Sequence, residues 1–184
     1  MTENRTELHR RTILKLNQVF SMGYIPSREI EPYNCLIGAK SNRPVHKLVN
    51  CFGHACFNLT NQQLRDLDFN YKDADSLSDF FSTFYDDPRD IRNRLFGFVN
   101  RTGLKVELVK RDAILKNNQW KVAYYFRDGY EDQDFHFFLQ EKDGHWSSKV
   151  GFTREITYMQ NLQKQYEDYS LFDTYSITNP FVRG

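Results

Sequence analysis

Cysteine is scarce in this chain. There are three residues, Cys35, Cys51 and Cys56, and an odd number cannot all pair within one molecule. A disulfide framework does not fit, and free thiols in a reducing compartment are expected, with one open to reactivity. An excess of either charge is also missing. The 25 Lys and Arg residues against 24 Asp and Glu leave a formal charge of +1. That balance gives no electrostatic argument for nucleic acid or an anionic membrane as a partner. No apolar run approaches the length of a spanning helix. Met1-Thr2-Glu3-Asn4-Arg5 lacks the charged-then-apolar order of a secretory signal. The expected location is therefore cytoplasmic, with export by a signal-independent route as the alternative. Repeats, low-complexity tracts and domain-splitting linkers are absent as well.

What the chain does have is rings. Sixteen Phe and eleven Tyr among 184 residues supply a full-sized core for a single domain over 1–184. Leu8, Ile13, Leu16, Val19 and Phe20 recur at helical spacing, which predicts a helix over 5–22 ended by Gly23. Pro26, Pro32 and Pro44 make 24–47 extended or looping. The apolar block 48–58, LVNCFGHACFN, reads as a buried helix beginning near Asn50, a good N-cap type. Thr60 to Gln63 has capping-box form. Ser76 to Tyr85 has a helical pattern, and Pro88 opens a further helix to about Val99. After Gly103 the period changes to that of strands: Leu104–Val109, Trp120–Phe126, Phe135–Gln140, then the Asp143-Gly144 turn signal and Trp146–Val150. Residues 156–169 are ambiguous with a helical leaning, and 170–184 read as an extended tail. Helices first (about 1–102), an antiparallel sheet second (about 103–155) and a C-terminal extension (about 156–184) make an α+β layout.

Thiol hydrolysis needs an ionised sulfur, a base for its proton and donors for the oxyanion. The first N–H groups of a helix supply part of this, and Cys51 sits at such a start, just after Asn50. Cys56 lies deeper in the same helix, where a small apolar filler is expected. His136 lies in Asp134-Phe135-His136-Phe137-Phe138. Alternation puts Phe135 and Phe137 on one face and His136 and Phe138 on the other. A strand flanked by bulky rings is a rigid support for an imidazole, although a core histidine with a satisfied hydrogen bond is the equal reading.

Two segments carry a resemblance. Asn50-Cys51-Phe52-Gly53-His54-Ala55 resembles the nucleophile helix of papain-like cysteine hydrolases. KVAYYFRD followed by DFHFFLQEKDGHWSSKVG is similar to the strand, ring-flanked His, Gly turn and Trp-Ser-x-Lys strand of the bacterial members. The likeness covers roughly 48–58 and 119–151. By analogy with the NlpC-type and effector-protease branches, it implies a papain-like fold in which a buried nucleophile helix packs on a small antiparallel sheet. It also implies Cys51 as nucleophile, His136 as base, and no cofactor or metal. The chain departs from the pattern at the third position, where such enzymes carry His, Asn or Asp to fix the tautomer of the base. Ser148 is in reach to orient the ring weakly, whereas Asp143 lies in a turn that is normally solvated. Asn34 and Asn50 are oxyanion candidates through their amide donors.

Other signals rank lower. A metal shell from Cys51, His54 and Cys56 is disfavoured, because positions 51 and 54 share a helix face and 56 turns away. Cys35 lies in too short a segment for a supporting helix. Asp73, Asp75, Asp79, Asp86 and Asp87 read as a solvated helix face that Arg89, Arg92, Arg94 and Arg101 could pair with. Two functions remain. One is a cysteine hydrolase acting on an amide of a peptide or protein substrate: peptidase, amidase or deamidase. The other is an inactive papain-like binding protein, and a phage, mobile-element or effector origin suits either. Oligomeric state is not legible.

Overall fold

Residues 4–26, 48–80, 87–129, 133–151 and 156–184 are described by a computed structural model. Helix α1 (Arg5–Ser21) is capped by Asn4, whose side chain accepts from the Glu7 N–H. It buries Ile13, Leu16, Val19 and Phe20, the face expected from their spacing. Helix α2 (Cys51–Cys56) starts where Asn50 caps it and is buried throughout. It ends after one and a half turns because Asn58 takes a left-handed φ of 43° and turns its N–H back to the Gly53 carbonyl. Gly53 is needed in this helix: a Cβ there would stand 2.8 Å from Val49 Cγ1 and 3.0 Å from Leu77 Cδ1. Helix α3 (Asn61–Asp66) carries the expected Thr60–Gln63 capping box.

Helix α4 (Tyr71–Ser78) differs from the sequence reading. It begins five residues before Ser76, at a capping box made by Asn70 and Asp73, and it stops at Ser78; residues 81–86 lie outside the described residues. Asp73 is fully buried rather than part of a solvated face. Its carboxylate takes the Thr12 hydroxyl at 2.6 Å and the Lys15 ammonium at 2.7 Å, which ties α4 to α1. Asp79 pairs with Arg5 at 2.6 Å, and Asp87 caps α5 (Pro88–Arg101). Proline suits the first turn of that helix because its missing N–H would have had no partner.

The sheet holds β1 (Lys105–Leu108), β2 (Gln119–Arg127), β3 (Asp134–Gln140), β4 (Trp146–Lys149), β5 (Ile156–Met159), β6 (Gln165–Tyr166) and β7 (Tyr169–Thr178). Its order is β1-β7-β2-β3-β4-β5, with β6 pairing on β7, and every pairing among the described residues is antiparallel. The architecture is α+β. Two readings of the C-terminal part are corrected. Residues 156–169 form strands, not a helix. The supposed extension supplies β7, which runs between β1 and β2 inside the sheet. A bulge where Phe172 is skipped against Tyr124 and Tyr125 breaks the alternation that would have revealed it.

The helices pack on one face of the sheet. Phe135, Phe137 and Leu139 join the main core with Phe52, Phe57, Phe98 and Trp120. Phe138 turns the other way, into a second cluster with Tyr125, Trp146 and Met159. The β3–β4 ladder is short. Leu139 pairs with Ser147 and Gln140 with Trp146, and from Phe138 back to Asp134 β3 has no β4 partner among the described residues. The site forms beside the Asp134–His136 end of β3, next to the residues that follow β4.

Candidate active site

A cavity of about 260 Å³ lies at that end of β3. The start of α2 reaches it from the helix side with Cys51. His136 reaches it from β3, and Tyr166 and Tyr169 from the β6–β7 hairpin, while Val150 and Gly151 close it past the end of β4. Strand alternation alone sets Cys51 and His136 on different faces of the sheet. Both nevertheless line one space, beside the first residues of β3.

His136 is held on three sides. Its ring stacks on Tyr166 at 5.1 Å with 15° between planes, lies 5.4 Å from the Tyr169 ring and meets Phe138 edge-on at 5.3 Å. Nε2 lies 2.8 Å from the Ser148 hydroxyl. This burial, with the ring 7% exposed, pushes its pKa down to about 4, so the imidazole is neutral at physiological pH. The Tyr169 hydroxyl donates to Asp134 Oδ2 at 2.8 Å, and the Arg127 guanidinium lies 5.0 Å over the Tyr169 ring. The aromatic wall is thereby fixed from behind.

Cys51 is 6% exposed and belongs to the main core as well as to the cavity wall. Burial pushes its thiol up to about 12. The Phe137 backbone opposes this first, then the Phe52 backbone and the Lys149 charge, while Asp134 adds to the rise. Helix α2 has six residues, so its dipole is a smaller aid to a thiolate than the sequence reading assumed. Cys56 is fully buried, one turn further along α2.

The remaining candidates separate. Ser148, with no exposed surface, meets His136 as expected. Asn50 lines the cavity, but its side chain serves the backbone: Oδ1 accepts from the Gly53 N–H at 2.9 Å and Nδ2 donates to the Leu77 carbonyl at 3.0 Å. Its amide is a cap first. Asp143 is away from the site, in the β3–β4 turn, bonded to His145 Nδ1 at 2.9 Å. Asn34 and Cys35 lie outside the described residues. His54, read among metal ligands, points to Ser147 at 3.0 Å instead.

Sequence reasoning missed Tyr166, Tyr169, Asp134 and Lys149. Asp134 stood next to a residue already singled out. The two tyrosines flank a tight turn, but its residues are Glu167 and Asp168, with Glu167 at a φ of 53°, rather than an Asn-Gly pair. Among the described residues, no helix is long and apolar enough to cross a membrane. Compared with family models, curated proteins and solved structures, the chain matches none.

Proposed function

We propose that this protein is a cysteine-dependent hydrolase of papain-like architecture acting on an amide of a peptide or protein. Cys51 is its nucleophile, His136 its base and Ser148 the residue that orients the base. One observation carries the reading: a thiol and a neutral imidazole from separate elements wall the same cavity, and the imidazole's Nε2 is held by a hydroxyl. When Nε2–H donates to Ser148, Nδ1 is the bare nitrogen and can take a proton.

The chemistry then runs in two halves. The Cys51 thiol passes its proton to His136 while sulfur bonds to the amide carbonyl carbon. The C–N bond breaks, and the leaving nitrogen takes the proton back from the imidazolium. His136 next removes a proton from water, which attacks the thioester. A carboxylic acid leaves and the thiol is restored.

A second reading has its own support. The buried thiol and imidazole both rest neutral, and a serine orients less firmly than a carboxylate. A protein that holds a peptide in this cavity without turning it over would keep the same architecture.

Acyl-enzyme-forming probes, read by mass spectrometry on the intact chain, separate the two. Covalent labelling on Cys51, lost in Cys51→Ala and kept in Cys56→Ser, supports the hydrolase. Absence of labelling across peptide, amidase and deamidase probes, with iodoacetamide reacting equally slowly at Cys51 and Cys56, refutes it.

A further inference from the structure

The turn between β6 and β7 carries Glu167 into the wall of the cavity. Its neighbours fix where it stands. Tyr166 and Tyr169 pair across the turn, and their rings lie against His136 at 5.1 and 5.4 Å. Glu167 is therefore exposed to solvent yet held one residue from a ring that stacks on the imidazole.

Two features set this glutamate apart. Its φ of 53° is left-handed, as are those of Asn58 at 43° and Asp68 at 49°. Asn and Asp tolerate that conformation because their short side chains bond to the local backbone, whereas a glutamate has no such compensation and a tight hairpin favours Gly or Asn there. The Glu167 carboxylate also makes no hydrogen bond or ion pair among the described residues.

The charges around it are already answered. Asp134, the other acid of the wall, is engaged by the Phe135 N–H, the Tyr169 hydroxyl and, at 3.8 Å, Arg127. Asp168, next to Glu167 in the turn, faces Arg127 at 3.4 Å. Lys149 is fully buried and donates to the Gly151 carbonyl at 2.6 Å. No Lys or Arg among the described residues lines the cavity itself. His136, 7% exposed, is neutral; Ser148 holds its Nε2, and its Nδ1 has no hydrogen-bond partner among the described residues. The cavity thus combines an open nitrogen on a buried base, two tyrosine rings and one unanswered negative charge at its edge.

A carboxylate beside aromatic rings attracts a cation and repels an anion. A space of about 260 Å³ lies below the range of drug-sized ligand pockets, which suits one side chain with its amide. We propose that Glu167 is the specificity-determining residue of the site: its carboxylate selects substrates with a cationic side chain, lysine or arginine, next to the amide that Cys51 attacks. The inference rests on the reading of Cys51 and His136 as the reacting pair, but the selection belongs to the cavity and is measurable without turnover. The disfavoured backbone at Glu167 is then kept for what the carboxylate binds.

The test is an NMR titration of the full chain, followed at the His136 ring, with blocked peptide amides that carry lysine, arginine, norleucine or glutamate between alanines. It is repeated in E167Q, E167N and C51A. In the unaltered protein and in C51A the lysine and arginine peptides should bind about fivefold tighter than the norleucine peptide, with the glutamate peptide weakest and the preference fading at high salt. E167Q and E167N should bring the cationic peptides down to the norleucine level. E167N should melt no lower than the unaltered protein, because asparagine accepts the left-handed turn, so the loss is one of charge and not of fold. A preference that survives in both variants overturns the proposal. So does equal affinity for the lysine and norleucine peptides, or an unshifted His136 ring with every peptide. Cationic selection in a chain that no acyl-transfer probe labels would defeat the hydrolase reading alone. Labelling at Cys51 without any charge preference would defeat the Glu167 proposal alone.

Discussion

Two buried histidines in this molecule each reach a serine of β4, and the two serines are neighbours. His54 meets Ser147 at 3.0 Å and His136 meets Ser148 at 2.8 Å. The first pair continues to a carboxylate: the Ser147 hydroxyl donates to Glu141 Oε1 at 2.5 Å. With its proton committed to Glu141, Ser147 can only accept from His54, so that histidine's tautomer is fixed. Among the described residues no such carboxylate bonds to Ser148, whose hydroxyl can donate or accept. By hydrogen bonding alone, His54 is the better-oriented base. It is nevertheless an unpromising one, because it faces the packed interior between α2 and β4, whereas His136 faces a cavity that also holds a thiol. Orientation and access are independent properties, and a chemical role needs both.

Breaking the comparison at its histidines should give the largest effects. His136→Ala should slow Cys51 alkylation and acylation at neutral pH by about 10²- to 10⁴-fold, with a small change in melting temperature. His54→Ala should do the reverse. It removes the buried group that Ser147 accepts from and should cost about 1–3 kcal/mol in denaturant unfolding, while the Cys51 reaction in the folded protein persists. Equal kinetic losses in the two variants would erase the distinction drawn between them.

The next effect is on stability against pH. The His136 pKa is lowered in the folded protein, from 6.5 to about 4. Between those values the unfolded chain binds a proton that the folded one refuses. The stability from keeping the ring neutral is therefore complete above about 6.5, is lost as pH falls, and is exhausted below about 4. At the steepest the loss is about 1.4 kcal/mol per pH unit, and His136→Gln should flatten that part of the curve. Identical acid profiles for the two proteins would mean that the ring is not desolvated.

The smallest expected effects are at the serines. Ser148→Ala frees the His136 ring and should lower the Cys51 reaction about tenfold without a large stability change. Ser147→Ala removes the link between His54 and Glu141 and should cost about 1–2 kcal/mol in unfolding with the thiol rate kept. An exchange of these phenotypes would invert the assignment of the two relays.

Local signals were read well where the chain speaks for itself. Asn50 as the cap of the thiol helix, the Thr60–Gln63 box, Pro88 in a first turn and the alternation around His136 all depend on neighbours within a few positions. The helical leaning given to 156–169 failed for a related reason. Its strands are short, its turn is built from Glu167 and Asp168, and the bulge opposite Tyr124 spoils the period of β7. Asp73 was misread as solvated because its partners, Thr12 and Lys15, come from another helix.

The sequence by itself determined which short stretches become helix or strand, that the core is aromatic, and that Cys51 opens a helix while His136 is borne by a ring-flanked strand. Capping, turn chemistry and hydrophobic period are properties of consecutive residues, so they are written in the order of the chain. Only the tertiary structure decided that β7 runs inside the sheet and that a thiol and an imidazole from separate elements come to wall one cavity. Which buried histidine has access depends on groups far apart in the chain, and burial and distance exist only once the chain has folded.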